Sequence, residues 1–377
     1  MRSIKMEELY MEERILIVGG YGKAGGYIAE LLLANTDTIK IIIAGRSLRK
    51  AKSKANRLNN RFDKNRVSAL KVDAGSYQDL REAFKLCDLV IVSFPYRDGQ
   101  ERVVIESALE SGINYVDLNA DTEKYQVLKE YSKEIEEQKL IFLTGAGIIP
   151  GCPAMLANLV ANDYDLIQKI KISSLYRDKN IPYGGVYDII SHAGKMPLIY
   201  KEGTWQKASP FAIRRIKFGN KFNSKIAVPI YLQELEEIPK KFNIKELSIY
   251  QAGINPLVDG LYFIWKTLNL SYFEKTLKLG VKLFQWANQN FTTPPFGLAL
   301  KIEVIGEKRG VLEKSSILLE HTDMYLATAI PVVATLLEIF GGKIEQVGIN
   351  FMGDAVASRG YLENLKNLGM KVSTDNF

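Results

Sequence analysis

The first 144 residues alternate short apolar runs with segments of helical spacing, and this alternation constrains the fold more than any other feature. The apolar runs occupy 14–18, 39–44, 67–72, 89–93, 115–118 and 140–144. Continuous apolar runs of this length are typical of strands that are buried on both faces of a sheet. Helices are predicted between them at 27–33, 47–59, 78–84, 100–111 and 122–138. Right-handed crossovers then favour a doubly wound parallel sheet of Rossmann order.

The alternation stops after Pro150-Gly151. A helix is predicted at 153–161, then strands at 170–176, 185–190, 215–218, 247–250, 300–305 and 316–320, with a hairpin turn at 306–310. We therefore predict an α/β protein, with a Rossmann doubly wound parallel sheet and a second α+β domain containing a mixed or antiparallel sheet. The first domain would span 12–150 and be completed by a buried helix at 322–342. The second would span 151–321 with a helical insert at 256–290, leaving a C-terminal segment at 343–377.

A glycine motif follows the first predicted strand directly and opens the first helix. It reads Gly20-Tyr21-Gly22-Lys23-Ala24-Gly25. In a dinucleotide-binding turn, the three glycines allow the tight bend, the approach of a pyrophosphate and the close packing of helix on strand. The helix N-terminus adds backbone N–H groups and a partial positive charge for the anion. In this context the six residues are predicted to contact a dinucleotide.

The end of the second predicted strand indicates which dinucleotide. An NAD site usually has an acidic residue about 20 residues after the glycines, to hold the ribose 2′-hydroxyl. Here the strand ends in Arg46 and Ser47, and no carboxylate lies between Asp37 and Asp63. Guanidinium and hydroxyl groups can hold a 2′-phosphate, which a carboxylate would repel. NADP(H) is therefore the predicted cofactor. A solvated basic helix face is the alternative, although it does not explain the missing acid.

Three further residues are predicted to border the cofactor, because the carboxyl ends of parallel strands face the ligand crevice. Asp73 follows the third strand and is placed to meet the adenine, although an Asp that caps a loop is equally common. Ser93 and Pro95 follow the fourth strand and are predicted to border the nicotinamide ribose.

A series of motifs resembles the saccharopine dehydrogenase family, in particular its saccharopine reductase-like branch. The series comprises Ile15–Gly22 with Ala44–Ser47, then 112–117 and 145–151, and further segments at 203–205, 229–239 and 301–310. This resemblance covers nearly the whole chain and implies an NADP-dependent oxidoreductase acting at a carbon–nitrogen bond, usually as a homodimer. The reductases themselves have an acidic residue before the Pro-Gly and an Asp-His after it. This chain has Ile149 and Cys152-Pro153-Ala154 there, which puts saccharopine itself in doubt as the substrate.

Three residues are candidates for acid–base chemistry. Asp117 ends the fifth strand on the crevice side and could anchor a substrate amine or only cap a loop. Tyr96 follows the fourth strand and could donate a proton beside the nicotinamide or be an exposed loop residue. His321 follows the last strand of the second domain and is either an acid–base group or structural. His192 lies in a glycine-flanked loop and is predicted to be structural. No cluster has metal-ligand spacing, so no metal is predicted.

Charge and cysteine content bear on partners and location. The 50 Lys and Arg against 43 Asp and Glu give a net charge of +7. The basic residues are spread along the whole chain, so no nucleic-acid partner is predicted. Two cysteines indicate thiols of a reducing compartment, and the N-terminal residues have no apolar signal, so a cytoplasmic location is predicted. The amphipathic stretch 257–286 could cover the second sheet, form a dimer contact or lie on an anionic membrane.

These observations predict an NADP(H)-dependent reductase of an imine or a related C=N or C=O small-molecule substrate, held between the two domains. Domain 12–150 would bind the cofactor, and domain 151–321 would bind the substrate and form the dimer. Two alternatives stay open. One is a non-catalytic or membrane-associated NADP-binding protein, and the other is an enzyme that retains its cofactor through a cycle of oxidation and reduction, as homospermidine synthases do.

Overall fold

The computed structural model describes residues 13–62, 65–97, 99–119, 122–191, 196–209 and 212–377. The prediction for His192 lies outside them. The chain divides into two compact units, Met1–Met155 with Thr328–Leu368 and Leu156–Ala327 with Gly369–Phe377. The first unit thus combines an N-terminal segment with a later one, and the last residues of the chain return to the second unit.

The strands are numbered along the chain. They are β1 (Arg14–Val18), β2 (Lys40–Gly45), β3 (Val67–Lys71), β4 (Leu89–Val92), β5 (Asn114–Asp117), β6 (Ile141–Thr144), β7 (Leu166–Arg177), β8 (Leu198–Lys201), β9 (Thr204–Lys207), β10 (Arg214–Lys217), β11 (Ser224–Ile230), β12 (Glu246–Ala252), β13 (Gly297–Lys308), β14 (Val311–His321), β15 (Gly348–Phe351) and β16 (Lys371–Asp375).

The α-helices are numbered in the same way. They are α1 (Lys23–Asn35), α2 (Leu48–Phe62), α3 (Tyr77–Phe84), α4 (Gln100–Glu110), α5 (Thr122–Glu130), α6 (Ser132–Glu137), α7 (Cys152–Ala161), α8 (Tyr183–Ser191), α9 (Gly219–Phe222), α10 (Ile238–Lys241), α11 (Pro256–Thr267), α12 (Glu274–Phe291), α13 (Met324–Phe340), α14 (Met352–Ala355) and α15 (Arg359–Asn367).

The first unit is built on a parallel sheet of seven strands, in the order β15-β6-β5-β4-β1-β2-β3. The six strands predicted from the sequence confirm the Rossmann order, and β15 from the C-terminal part of the chain adds a seventh. The central strands are apolar at nearly every position because helices cover both faces of such a sheet. Leu16, Val90, Val104 and Phe142 belong to one buried core cluster within this unit.

The second unit contains a nine-stranded sheet, whose main order is β10-β11-β12-β7-β13-β14-β16, with β8 pairing β12 and β9. Among the described strands of this sheet, β7 and β12 pair in parallel and the other pairs are antiparallel, so the sheet is mixed, which confirms the predicted class. The predicted hairpin turn is present, with β13 and β14 in register from Leu298 opposite His321 to Lys308 opposite Val311.

Two local predictions were wrong. Residues 185–190 form part of helix α8 rather than a strand, and Val186 and Ile190 point into a core cluster. A short apolar run does not distinguish a strand from a buried helix, and here the spacing of four residues fits the helix. The single helix predicted at 122–138 is two helices, α5 and α6, which are separated at Tyr131.

Helix α13 is apolar on nearly all sides and almost wholly buried, as the sequence predicted for 324–340. Its Thr335 hydroxyl lies 2.9 Å from that of Tyr361, which also donates a hydrogen bond to the Pro331 carbonyl at 2.8 Å. Across the described ranges, no helix combines the length and the apolar character that crossing a membrane requires.

Candidate functional site

The glycine loop connects β1 to α1 in the first unit. Gly19 has a φ of +86°, a left-handed conformation that favours glycine, and Gly22 closes the turn by donating its N–H to the Gly19 carbonyl at 2.8 Å. No side chain caps the N-terminus of α1, and its first turn contains no acidic residue. Gly22 and Lys23 are exposed, whereas Gly20 and Gly25 are buried. This leaves an open helix N-terminus with the properties of an anion site.

Gly25 packs directly against the end of β4. A methyl group on its Cα would lie 2.5 Å from Ser93 Oγ and 2.7 Å from the Gly19 carbonyl, so a larger residue does not fit. Ser93 in turn donates its hydroxyl to the Val18 carbonyl at 2.9 Å. Ser93 therefore lies beside the glycine loop, and the predicted role of Gly25 in helix–strand packing agrees with this geometry.

The end of β2 forms the second part of the site. The ring of Tyr21 covers Gly45 so closely that a methyl group there would lie 2.6 Å from Cε1 of the ring. The Ser47 N–H donates to the Tyr21 hydroxyl at 3.3 Å, and the Lys50 N–H lies 3.4 Å from Ser47 Oγ at the start of α2. Arg46 is exposed at this place. Tyr21 therefore contacts both Gly45 and Ser47, the residues on either side of Arg46.

Asp73 and Pro95 follow the neighbouring strands β3 and β4. Asp73 is exposed, and its Oδ1 accepts the Gly75 N–H at 3.0 Å, which is the loop-capping arrangement considered from the sequence. Pro95 is half-buried. Phe94 packs edge-on against Tyr96, with ring centroids 5.6 Å apart. The structure places these residues after the strands that flank β2 and β1, and their contact with a cofactor stays a prediction.

Tyr96 is the outermost group of a buried chain of hydrogen bonds. Its hydroxyl lies 2.6 Å from that of Tyr115, which donates to Asp117 Oδ2 at 2.7 Å. Because the Tyr115 proton is committed to the carboxylate, its oxygen is free to accept the Tyr96 proton. Tyr96 is 9% exposed, while Tyr115 and Asp117 have no exposed surface. Burial, with the charge of Asp117, raises the pKa of Tyr115 well above the ordinary tyrosine value.

Asp117 is held by five donors rather than open to a ligand. Besides Tyr115, it accepts the Thr144 hydroxyl at 2.9 Å, the Lys124 ammonium at 2.7 Å and backbone N–H groups of Asn119 and Gly145 at 2.7 and 3.4 Å. Lys124 is itself buried and also donates to the Asn119 carbonyl at 2.7 Å. This arrangement favours a positioning role for Asp117, and the direct contact with a substrate amine stays a prediction.

Lys124 was missed by sequence reasoning. It lies on α5, seven residues after Asp117, and a lysine on a helix usually indicates a solvated face. The apolar residues Val127 and Leu128 on the same helix are buried, which was the available signal that this helix packs inward. An ion pair without solvent contact must be well matched geometrically, because two desolvated charges are otherwise costly.

His321 lies at the end of β14 in the second unit. Its Nδ1 lies 2.9 Å from the backbone nitrogen of Asp323 and 2.8 Å from its carbonyl oxygen. The ring therefore terminates a tight turn before α13. Its role in acid–base chemistry stays a prediction. In the part of the chain that the structure describes, no three His, Cys, Asp or Glu side chains form a metal-ligand group.

Arg177 is a second residue that sequence reasoning missed. It ends β7 opposite Gly297 of β13, is only 7% exposed, and its Nε has no hydrogen-bond partner. No carboxylate among the described residues lies within ion-pair distance. Burial lowers the pKa of this guanidinium, and the charge of Asp259 acts in the opposite direction. A buried arginine that makes no ion pair with a neighbouring carboxylate is costly and therefore uncommon.

The comparisons with known proteins agree with this fold. Residues 15–142 match the family model of the saccharopine dehydrogenase NADP binding domain. Among solved structures, apo saccharopine dehydrogenase (L-Glu forming) from Saccharomyces cerevisiae is similar with a TM-score of 0.68 and 13% identity, over 96% of this chain and 100% of that chain. At this identity the likeness concerns the fold, and it extends through both units.

Two further solved structures are only weakly similar. GenD2 from gentamicin A biosynthesis, in complex with NAD, has a TM-score of 0.41 and 13% identity, over 81% of this chain and 72% of that chain. A short-chain type dehydrogenase/reductase from Mycobacterium ulcerans has a TM-score of 0.32 and 12% identity, over 36% of this chain and 66% of that chain.

Proposed function

We propose that the protein is an NADP(H)-dependent oxidoreductase that reduces a C=N or related C=O bond, because residues 15–142 match the family model of the saccharopine dehydrogenase NADP binding domain. The single observation that carries the cofactor preference is the end of β2, where Arg46 is exposed and no carboxylate is present. Saccharopine itself is not proposed as the substrate, because the chain departs from the reductases at Ile149 and Cys152.

The residues of the first unit fit a dinucleotide phosphate. The uncapped start of α1 and exposed Gly22 suit a pyrophosphate, since backbone N–H groups are available and no acidic side chain opposes the charge. The close contact of Tyr21 with Gly45, together with Ser47, gives the end of β2 a defined shape beside Arg46. Arg46 and Ser47 would hold the 2′-phosphate of NADP(H) by charge-assisted hydrogen bonds.

Titration with NADPH and NADH tests this assignment. We expect wild type to bind NADPH more tightly, and Arg46→Asp to reverse the preference, because a carboxylate repels the 2′-phosphate and accepts from the ribose hydroxyl of NADH. Lys52→Asp is the matched control, since it removes a cation from the exposed face of α2 and should leave the preference unchanged. Tighter binding of NADH by wild type would contradict the cofactor assignment.

When bound, NADPH supplies the hydride, so the protein must supply a proton and hold the substrate. We assign the proton to Tyr96, the outermost hydroxyl of the chain that leads through Tyr115 to Asp117. Asp117 and Lys124 would act as positioning residues, since their buried ion pair fixes the orientation of the Tyr115 hydroxyl. In the observed arrangement the Tyr96 proton is donated inward to Tyr115, so to act as a general acid Tyr96 would turn this proton to the substrate. The Tyr115 hydroxyl would then turn from Asp117 and donate to the Tyr96 oxygen that has lost its proton.

For the substrate, the candidate contact in the second unit is Arg177. A buried guanidinium without an ion-pair partner is suited to a carboxylate, which it can bind in a bidentate manner. We therefore propose that the substrate carries a carboxylate. Stable NADPH binding without oxidation of the cofactor by any carboxylated imine or carbonyl compound would instead favour the non-catalytic alternative.

A further inference from the structure

Two helices of the second unit carry large apolar side chains on opposite faces. The inner face of α11 and α12 is buried, with Val258, Trp265, Val281 and Phe284 in one core cluster that also contains residues of α8. Other large apolar side chains of the same two helices lie outside this cluster and are exposed.

We define the outer apolar face as the nine large apolar side chains of this segment that remain exposed. They are Leu257, Phe263, Ile264, Leu268, Tyr272, Phe273, Leu279, Trp286 and Phe291. The most exposed lie in the connection between the helices, with Tyr272 at 79%, Leu268 at 64% and Phe273 at 62%. Nine exposed large apolar side chains within one segment of 35 residues indicate an interaction surface rather than ordinary solvent exposure.

On α12 the outer face also carries positive charge. Lys275, Leu279, Lys282 and Trp286 are spaced by four, three and four residues, so they form one stripe opposite the buried residues. Lys278 pairs with Glu274 at 2.6 Å. Lys275 and Lys282 make no ion pair with any described residue. The stripe therefore presents two unpaired ammonium groups beside a leucine and a tryptophan.

The presence of both apolar side chains and unpaired lysines on this face distinguishes two partners, a second copy of the chain and a membrane surface. An interface with a second copy of the chain would desolvate Lys275 and Lys282, and the centres of protein interfaces are depleted of charged residues, lysine in particular. A membrane surface accommodates both features, since apolar side chains enter the acyl boundary while lysines meet anionic headgroups. Tryptophan and tyrosine are also enriched at that depth.

We propose that the outer apolar face of α11 and α12 docks the protein on a membrane surface containing anionic lipids. The helices would lie in the plane of the interface, with Leu268, Tyr272 and Phe273 inserted most deeply. This attachment is peripheral and reversible, and it does not depend on the cofactor or the reaction of the first unit.

Co-sedimentation of the full chain with vesicles tests the proposal. Wild type should sediment with mixed phosphatidylcholine–phosphatidylglycerol vesicles, more weakly at high salt, and little with phosphatidylcholine alone. Leu268→Ser with Tyr272→Ser and Phe273→Ser should abolish sedimentation. Lys275→Glu with Lys282→Glu should weaken it at least about 30-fold, since each basic residue near an anionic surface contributes about fivefold.

Two controls keep the result specific. Val311→Ser with Leu312→Ser removes an exposed apolar pair at another place in the same unit, and Lys240→Glu reverses an exposed charge there. Both should sediment as wild type does, and circular dichroism melting should show that every variant is folded. Absence of vesicle binding, or binding that the face variants do not change, would overturn the proposal. So would a concentration-dependent dimer that the apolar variant dissociates, which would identify a second copy as the occupant.

Discussion

The hydroxyl of Tyr96 lies 2.6 Å from the hydroxyl of Tyr115, at the outer end of a chain that terminates in a buried ion pair. Tyr115 must donate to Asp117, because an ionised carboxylate only accepts. The direction of each proton in the chain is therefore set from inside the fold. The chain of hydrogen bonds runs from Tyr96, after β4, through Tyr115 to Asp117 at the end of β5. Substitutions of Tyr96 and of Tyr115 should therefore have distinguishable effects on catalysis.

Tyr96→Phe should lower kcat by about 10²–10⁴-fold, the usual contribution of a positioned general acid, and leave NADPH affinity unchanged. Tyr115→Phe should have a smaller effect on kcat but alter the pH profile, because the Tyr96 hydroxyl loses its fixed acceptor. Steady-state kinetics across pH measures both. Tyr77→Phe is the control, as this tyrosine is exposed and bonds to Glu106. Full activity of Tyr96→Phe would remove Tyr96 from the mechanism.

The buried pair of Lys124 and Asp117 predicts a large effect on stability. Lys124→Met leaves the Asp117 charge buried and unpaired, which costs about 3–5 kcal/mol of unfolding free energy. Urea denaturation measures this cost. Adding Asp117→Asn to Lys124→Met should recover part of the loss, because the uncompensated charge is gone. Lys133→Met breaks an exposed pair with Glu137 and should cost at most about 1 kcal/mol.

Glu30 gives a pH-dependent prediction. Burial raises its pKa, but the ammonium of Lys54 at 2.7 Å and the guanidinium groups of Arg61 and Arg57 lower it below the ordinary glutamate value. A carboxyl with a lowered pKa in the folded state stabilises the fold above the unfolded value of about 4.3, and this contribution is lost as the pH falls through the folded value.

Glu30→Gln should therefore be less stable than wild type at pH 7, by on the order of 1 kcal/mol. The difference should close as the pH falls below about 4. Urea denaturation at several pH values gives the two curves. Glu137→Gln, in an exposed pair, should run parallel to wild type throughout. A gap that persists at low pH would show that the Glu30 charge is not the cause.

The parts of the fold that could be predicted from the sequence are those that depend on neighbouring residues rather than on packing between distant segments. Strands β1 to β6 of the first unit and the loop at Gly20–Gly25 follow from local pattern, since apolar runs and glycine spacing are properties of adjacent residues. The helix at 183–191 does not, because Val186 and Ile190 are buried in a cluster with residues of α11 and α12. Arg177 was missed for the same reason, since it lies opposite Gly297 of the distant strand β13. Lys124 was missed although its partner Asp117 is only seven residues away, because a lysine on a helix usually faces solvent.

Arg177 offers a test in which structural and ligand-binding roles predict opposite results. If Arg177 binds the carboxylate of a ligand, Arg177→Met should leave the unfolding free energy unchanged or increase it. The reason is that the substitution removes a buried cation that makes no ion pair and whose Nε has no hydrogen bond. The same variant should lose the thermal stabilisation that glutarate or another carboxylate gives to wild type. Ligand-dependent melting experiments measure both quantities on one sample.

The matched control is Arg66, which is equally buried but donates to the carbonyls of Leu33 and Thr36 at 2.8 and 2.7 Å. Arg66→Met leaves those two carbonyls unpaired, so it should lose about 2–4 kcal/mol while its response to carboxylates stays that of wild type. If Arg177→Met instead destabilises as Arg66→Met does and keeps the carboxylate response, Arg177 is a structural residue and the substrate's carboxylate binds elsewhere.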